Sequence, residues 1–241
     1  MKEFTPQELL DRLEWRREVR NIMGRISHDY AVKQEAQVYE RYFSRREDVC
    51  LGLNNGYYKG AGAVSGYFKA LGDEIALGSQ LLQKMFPQEL GDKTAEEVYG
   101  VGMISYVPFE SQVIEIADDG ESAKGIWNVR GSTCRLTEAG PVANWIFGWA
   151  AVDFVKEDGA FKILNLQLLY NIDHQCGVGF CEKEKEFAPV PELKAMAEFR
   201  LPEPNVPMTV FETFRPDRPK AVSPRCPEPY DTLANTFSYG I

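Results

Sequence analysis

The chain has 241 residues, 44% hydrophobic and 12% aromatic, enough to bury one substantial core without disulfides or metals. Thirty-six acidic side chains against 27 basic ones leave a net charge of -9, which repels phosphate backbones and anionic lipid and argues against nucleic-acid or membrane partners. Five scattered cysteines and two distant histidines, His28 and His174, suggest neither a disulfide framework nor a metal site.

The N-terminus MKEFTPQELL lacks the apolar stretch of a secretory leader, and no apolar run is long enough to span a bilayer. A soluble, cytoplasmic protein is expected. Thr5, Pro6 and Glu8 have the spacing of a capping box, and Val19, Ile22, Met23, Ile26 and Tyr30 follow on one helical face. A shorter helical stretch carries Tyr39, Tyr42 and Phe43. Residues 48–53 read as a strand, Asn54-Asn55-Gly56 as a turn, and Tyr57 and Tyr58 as successive strand positions facing opposite ways. Helical spacing returns at 63–71 and again at 77–85, ending before Pro87, and Thr94 with Glu97 marks another helix start.

Beyond residue 100 the period changes. Residues 103–117 end at Asp119-Gly120 and 122–130 return; residues 143–156 end at Asp158-Gly159 and 160–172 return. Asp-Gly between apolar runs is a hairpin signal because glycine supplies positive φ. Residues 189–241 hold 10 of the 14 prolines, which excludes long helices and central strands, yet they retain Phe211, Phe214, Tyr230, Phe237 and Tyr239. A docked arm is expected there, lying on the domain or across a dimer partner. Helices first and an antiparallel meander afterwards predict an α+β fold, helices packed on a strongly curved sheet that encloses a pocket.

Four segments resemble the SnoaL-like branch of the nuclear transport factor 2 (NTF2-like) superfamily. They are Arg25-Ile26-Ser27-His28-Asp29-Tyr30, Asn55 to Gly60, the hairpin from Val113 to Trp127, and Val152 to Ile163. The resemblance covers residues 1–175 as one domain, leaving 176–241 as a proline-rich extension. It implies an NTF2-like cone with a deep apolar pocket, usually a homodimer, and cofactor-free dehydratase, isomerase, cyclase or hydrolase chemistry on ring-bearing molecules. Tyr58 matches a common tyrosine position. The strand histidine of related dehydratases is missing near Val107, and Asn165 and Gln167 stand where the last strand often has histidine. The acid expected near the first helix is either Asp29 or Glu35.

Elimination or isomerisation needs a base beside a carbonyl and donors for the developing oxyanion. His28 is the candidate base, Asp29 its orienting partner, and Tyr30 and Tyr58 the donors. The bland reading is a solvated His-Asp pair at a helix end with the tyrosines packed as core. Trp127, Trp149, Asn165 and Gln167 are the candidate substrate contacts, with Trp145 a further flat wall; equally, the tryptophans are core and the amides face solvent or a partner. Cys134 has no nucleophile context, and no P-loop or GxSxG occurs. The function expected is a lyase or isomerase, without cofactor or metal, acting on a hydrophobic cyclic small molecule such as a steroid, polyketide or polyphenol. The alternative is a non-catalytic binding protein of the same fold.

Overall fold

Helix α1 (Pro6–Ala31) starts with the capping box: Thr5 Oγ1 accepts the Glu8 N–H, and Glu8 Oε2 accepts the Thr5 N–H at 2.7 Å. The computed structural model describes residues 3–99, 104–209, 211–217 and 224–241. α1 buries Val19, Ile22, Met23, Ile26 and Asp29. Lys33, in left-handed backbone at φ 62°, ends it and throws the chain into a 3-10 turn (Glu35–Gln37) and then α2 (Val38–Tyr42). A hairpin follows, β1 (Cys50–Leu53) and β2 (Gly56–Lys59). The two helical stretches expected at 63–85 are one helix, α3 (Ala61–Met85), because Gly72 between them packs closely on Ala36 without breaking the backbone. α4 (Pro87–Leu90) and α5 (Ala95–Tyr99) complete the helices before the sheet, α5 capped by Thr94 and Glu97.

The strand expected at 103–117 divides at Val107-Pro108 into β3 (Ile104–Tyr106) and β4 (Phe109–Ile116); its first residue, Met103, lies outside the described residues. β5 (Ser122–Thr137), β6 (Gly140–Glu157) and β7 (Ala160–Gln175) form long antiparallel hairpins. β5 and β6 run further than their apolar patterning suggests, joined at Glu138-Ala139 with Gly140 at φ 100°. α6 (Lys194–Glu198) and a two-residue β8 (Val206–Pro207) belong to the proline-rich region. The sheet order is β3-β5-β6-β7-β1-β2-β8, with β4 also on β5; β1 is parallel to β7 and the other pairs are antiparallel. The fold is thus α+β, helices from the N-terminal half packed on one large sheet.

Three irregularities bend that sheet: at Glu110/Val113 opposite β5, and in the β6–β7 ladder at Phe147/Gly148 and Asp153/Phe154. The last has the largest consequence. Phe154 pairs with Ile163 and Asp153 with Asn165, so Leu164 is an extra residue. An extra residue reverses the alternation of everything after it. The inner face carries Trp127, Ala150, Val152, Phe154, Phe161, Ile163, Leu166 and Leu168 into one core with α1 and α3. The outer face carries Lys124, Asp153, Asn165 and Gln167.

The proline-rich region begins against α3, where Leu193 packs with Leu82, and from β8 onward runs along the sheet margin and over this outer face. β8 pairs with β2, and Asn205 bonds both backbone groups of Lys59. Phe211 meets Trp149 edge-on, and the Phe214 N–H donates to Asn171 O. Tyr230 bonds Ser122 at 3.1 Å, while Ser238 Oγ and the Tyr239 N–H donate to Asp153. Among the described residues, no helix is long and apolar enough to cross a membrane.

Candidate functional site

Asp29 and Tyr30, adjacent on the last turn of α1, diverge by the helical step of about 100°. Asp29 turns toward α2, where its Oδ1 accepts from Arg41 Nη1 at 2.9 Å. Tyr30 continues the Val19–Met23–Ile26 stripe and packs against the main core. His28 is exposed, its backbone carbonyl closing the helix on Val32. The fold therefore does not bring His28 inside with Tyr30, and it corrects the expected His28–Asp29 partnership: Asp29 is held by Arg41.

Three phenols, from three elements, meet in the interior. Tyr30 comes from α1, Tyr67 from α3 and Tyr170 from β7. Burial drives all three above their ordinary acidity range, and each is raised further by an ionisable neighbour: Tyr30 by Tyr67, Tyr170 and Glu35, Tyr67 by Tyr58, Tyr170, Glu74 and Glu35, and Tyr170 by Asp173. None of their hydroxyls has a hydrogen-bond partner among the described residues. Tyr30 and Tyr170 nevertheless keep part of their surface accessible.

Glu35, on the 3-10 turn, faces the same cluster. Its Oε1 lies 3.6 Å from Lys33 Nζ, and its Oε2 is sealed with no donor. Burial raises the Glu35 carboxyl, opposed by Lys33, and burial lowers the Lys33 ammonium. Glu74, two turns along α3 from Tyr67, is likewise raised by burial. Between the two acids the sequence left open, Glu35 is the one in reach of the phenols.

The remaining expected site residues are spread over both faces of the sheet. Tyr58 faces inward, its ring 4.8 Å from that of Tyr67, but its hydroxyl donates to Pro202 O at 2.7 Å. Trp127 is inner core against Phe154, lying directly over Gly125. Asn165 and Gln167 do not share a face with Phe161 and Ile163, because of the Leu164 bulge. Asn165 Nδ2 donates to Asp153 at 2.8 Å and to Ser238, and Gln167 Nε2 donates to Tyr57 Oη at 3.3 Å. Trp149 borders an outer cleft of about 460 Å³ with Asn128 and Arg130. His174 is occupied by Gly179 O at 3.0 Å and sits beside Phe180, away from the phenols.

Tyr67, Tyr170 and Glu35 are therefore the residues that sequence reading missed or left open. The available signal was positional: Tyr67 sits on the apolar stripe of α3, and Tyr170 ends a run of strand residues. Among the described residues, no group of three or more His, Cys, Asp or Glu side chains is arranged to hold a metal ion.

No protein-family model matches the chain, and no curated protein does. Several solved structures are similar to it at low identity. The Kfla4162 protein of Kribbella flavida is 13% identical, with 67% of this chain and 93% of that one covered and a TM-score of 0.48. The hexachlorocyclohexane dehydrochlorinase LinA-type3 of Novosphingobium barchaimii is 15% identical, covering 72% and 99%, with a TM-score of 0.43. An NTF2-like protein with a cystatin-like fold from Novosphingobium aromaticivorans is 12% identical, covering 70% and 91%, with a TM-score of 0.42.

Proposed function

We propose that the protein is a cofactor-independent acid–base catalyst, a lyase or isomerase, acting on a hydrophobic small molecule held among Tyr30, Tyr67, Tyr170 and Glu35. One observation carries this reading: three neighbouring phenols have no hydrogen-bond partner among the described residues, and Glu35, in reach of Tyr30 and Tyr67, has a sealed Oε2 that also lacks one. Buried polar groups are almost always satisfied, so the sealed Glu35 Oε2 beside these phenols calls for a ligand or water.

The chemistry follows from the groups. A carboxylate raised toward neutrality is a competent base for a proton beside a carbonyl. Glu35 takes that proton, while Lys33 at Oε1 limits the charge left uncompensated. The phenols, protonated at neutral pH, donate to the oxygen on which the enolate charge develops. Collapse of the enolate expels a leaving group at the next carbon or reprotonates elsewhere, giving elimination or isomerisation. The aromatic and aliphatic lining of the core suits a ring-bearing substrate. The dehydrochlorinase among the similar structures performs an elimination by name, a reading compatible with this one.

The test is incubation with steroid, polyketide and polyphenol panels, read by mass spectrometry and thermal shift together. A product abolished by Glu35→Gln supports the catalytic reading. A second reading, ligand binding without turnover, is favoured by the absence of a histidine among the phenols; thermal stabilisation without any product would select it.

A further inference from the structure

Exposed apolar side chains are ordinary when scattered and mark a contact surface when gathered. Leu9, Leu10 and Leu13 of α1 are 51%, 58% and 63% exposed, and they lie within little more than one helical turn. Leu9, Leu13, Arg16 and Arg20 follow one another at alternating steps of four and three, which sets them in one line along the helix, beside the stripe from Val19 to Ile26 that enters the core. Leu13 and the arginines form one wall of a groove of about 600 Å³, and Gln112, Val113 and Ile114 of β4 form the other.

The groove is basic in an acidic molecule. Arg16, Arg17 and Arg20 line it against one carboxylate, Glu14, in a chain of net charge -9. Arg17 pairs with Glu14 in solvent, Arg16 lies 3.7 Å from Glu115, and Arg20 is exposed and forms no ion pair among the described residues. Exposed pairs of this kind contribute little, so the guanidiniums stay available to a partner's carboxylates. β4 takes a strand on one side only, from β5. Its other margin is already used: Arg16 donates to Ile114 O at 2.6 Å, and Arg12 donates to Ile116 O and Ala117 O at 2.6 and 2.7 Å. An added strand would find those carbonyls taken, so the occupant brings side chains rather than a backbone ladder.

We infer that this groove docks an acidic amphipathic helix of another protein, with its apolar residues over the leucines and Val113 and its carboxylates one to two turns further along, over the arginines. Leu9 to Arg20 spans about 16 Å, so a helical segment of about twelve residues covers it. A single helix touches only the basic groove, whereas an extended anionic membrane would also meet the acidic remainder of the chain and be repelled by it. The surface shares no residue with the proposed catalytic site.

The experiment is fluorescence anisotropy of two labelled Ala-rich helical peptides titrated with the full chain. Each peptide carries two leucines one turn apart and three glutamates on the same face, the glutamates following the leucines in one and preceding them in the other. One of the two should bind, more tightly in low salt than in high salt. Leu13→Ser should weaken that binding about tenfold, the loss of one leucine contact. Arg20→Glu should weaken it about fivefold in low salt and much less in high salt. Both substitutions are at exposed positions, so melting temperatures should match wild type. Failure of both peptides to bind, equal affinity for lysine-substituted copies, or binding unmoved by both variants overturns the inference. So does a groove that takes phosphatidylserine vesicles, or a second copy of the chain in sedimentation, in preference to either peptide.

Discussion

Lys124 and Asp153 stand directly opposite each other on β5 and β6, and their ammonium and carboxylate pair with both side chains sealed from solvent. Asp153 also accepts from Asn165, Ser238 and the Tyr239 N–H. The Lys124 ammonium lies 4.6 Å from the Phe237 ring centre and 5.1 Å from that of Tyr239, within cation–π range. The pair thus joins the sheet to the last residues of the chain.

Removing one partner of such a pair strands the other charge. Lys124→Met should cost about 3–5 kcal/mol of unfolding free energy, measured by urea titration. It should also make the segment after residue 224 more susceptible to proteolysis. A loss within the range of an ordinary surface substitution would mean that the arm is not held this way.

Glu35 gives a pH prediction with a definite sign. Its folded carboxyl is raised by burial, so its contribution to stability is fully present below the unfolded pKa and is lost as pH rises through the folded value. Glu35→Gln removes that loss. Melting temperature should therefore exceed wild type at pH 8, with the difference shrinking toward pH 4. A variant less stable at pH 8 than at pH 4, relative to wild type, would contradict the burial of an unsatisfied charge.

For turnover, the interior and exposed residues should separate. Tyr67→Phe removes one donor to a developing oxyanion, worth about 100-fold in kcat by analogy with single donors. His28→Ala, at an exposed helix end, should change kcat by less than about twofold, as surface substitutions do. Steady-state kinetics on any product-forming member of the panel decides between them; the opposite ranking would return the base to His28.

Gly125 is occupied by its neighbour. A Cβ there would lie 2.4 Å from the Trp127 ring, and that ring is wedged against Phe154. Gly125→Ala should cost about 1–3 kcal/mol by overpacking, visible in thermal melts, with loss of native tryptophan fluorescence. Full tolerance would mean that the indole has room to move.

Much of the architecture was legible because it is local. The Thr5–Glu8 cap, the Asn54-Asn55 turn and the Asp158-Gly159 hairpin each use short-range chemistry that sequence displays. The site was less legible because it depends on long-range placement. Nothing in the local pattern marks Leu164 as a bulge, yet that one residue turns Asn165 and Gln167 from the core to the outer face. Tyr67 and Tyr170 resemble ordinary core aromatics until the fold sets them beside Tyr30, with Tyr67 also in reach of Glu35. His28, the residue type best suited to proton transfer, lies two positions before Tyr30, about 200° around the helix, and that puts it in solvent.

β8 is only two residues long, and Pro207 brings no amide hydrogen to the margin it forms beside β2. Open sheet margins recruit strands from other molecules. By laying a proline there, the chain ends its own hydrogen-bonded ladder and gives a stray β-segment no complete template, a safeguard against aggregation that a protein truncated before Asn205 would forfeit.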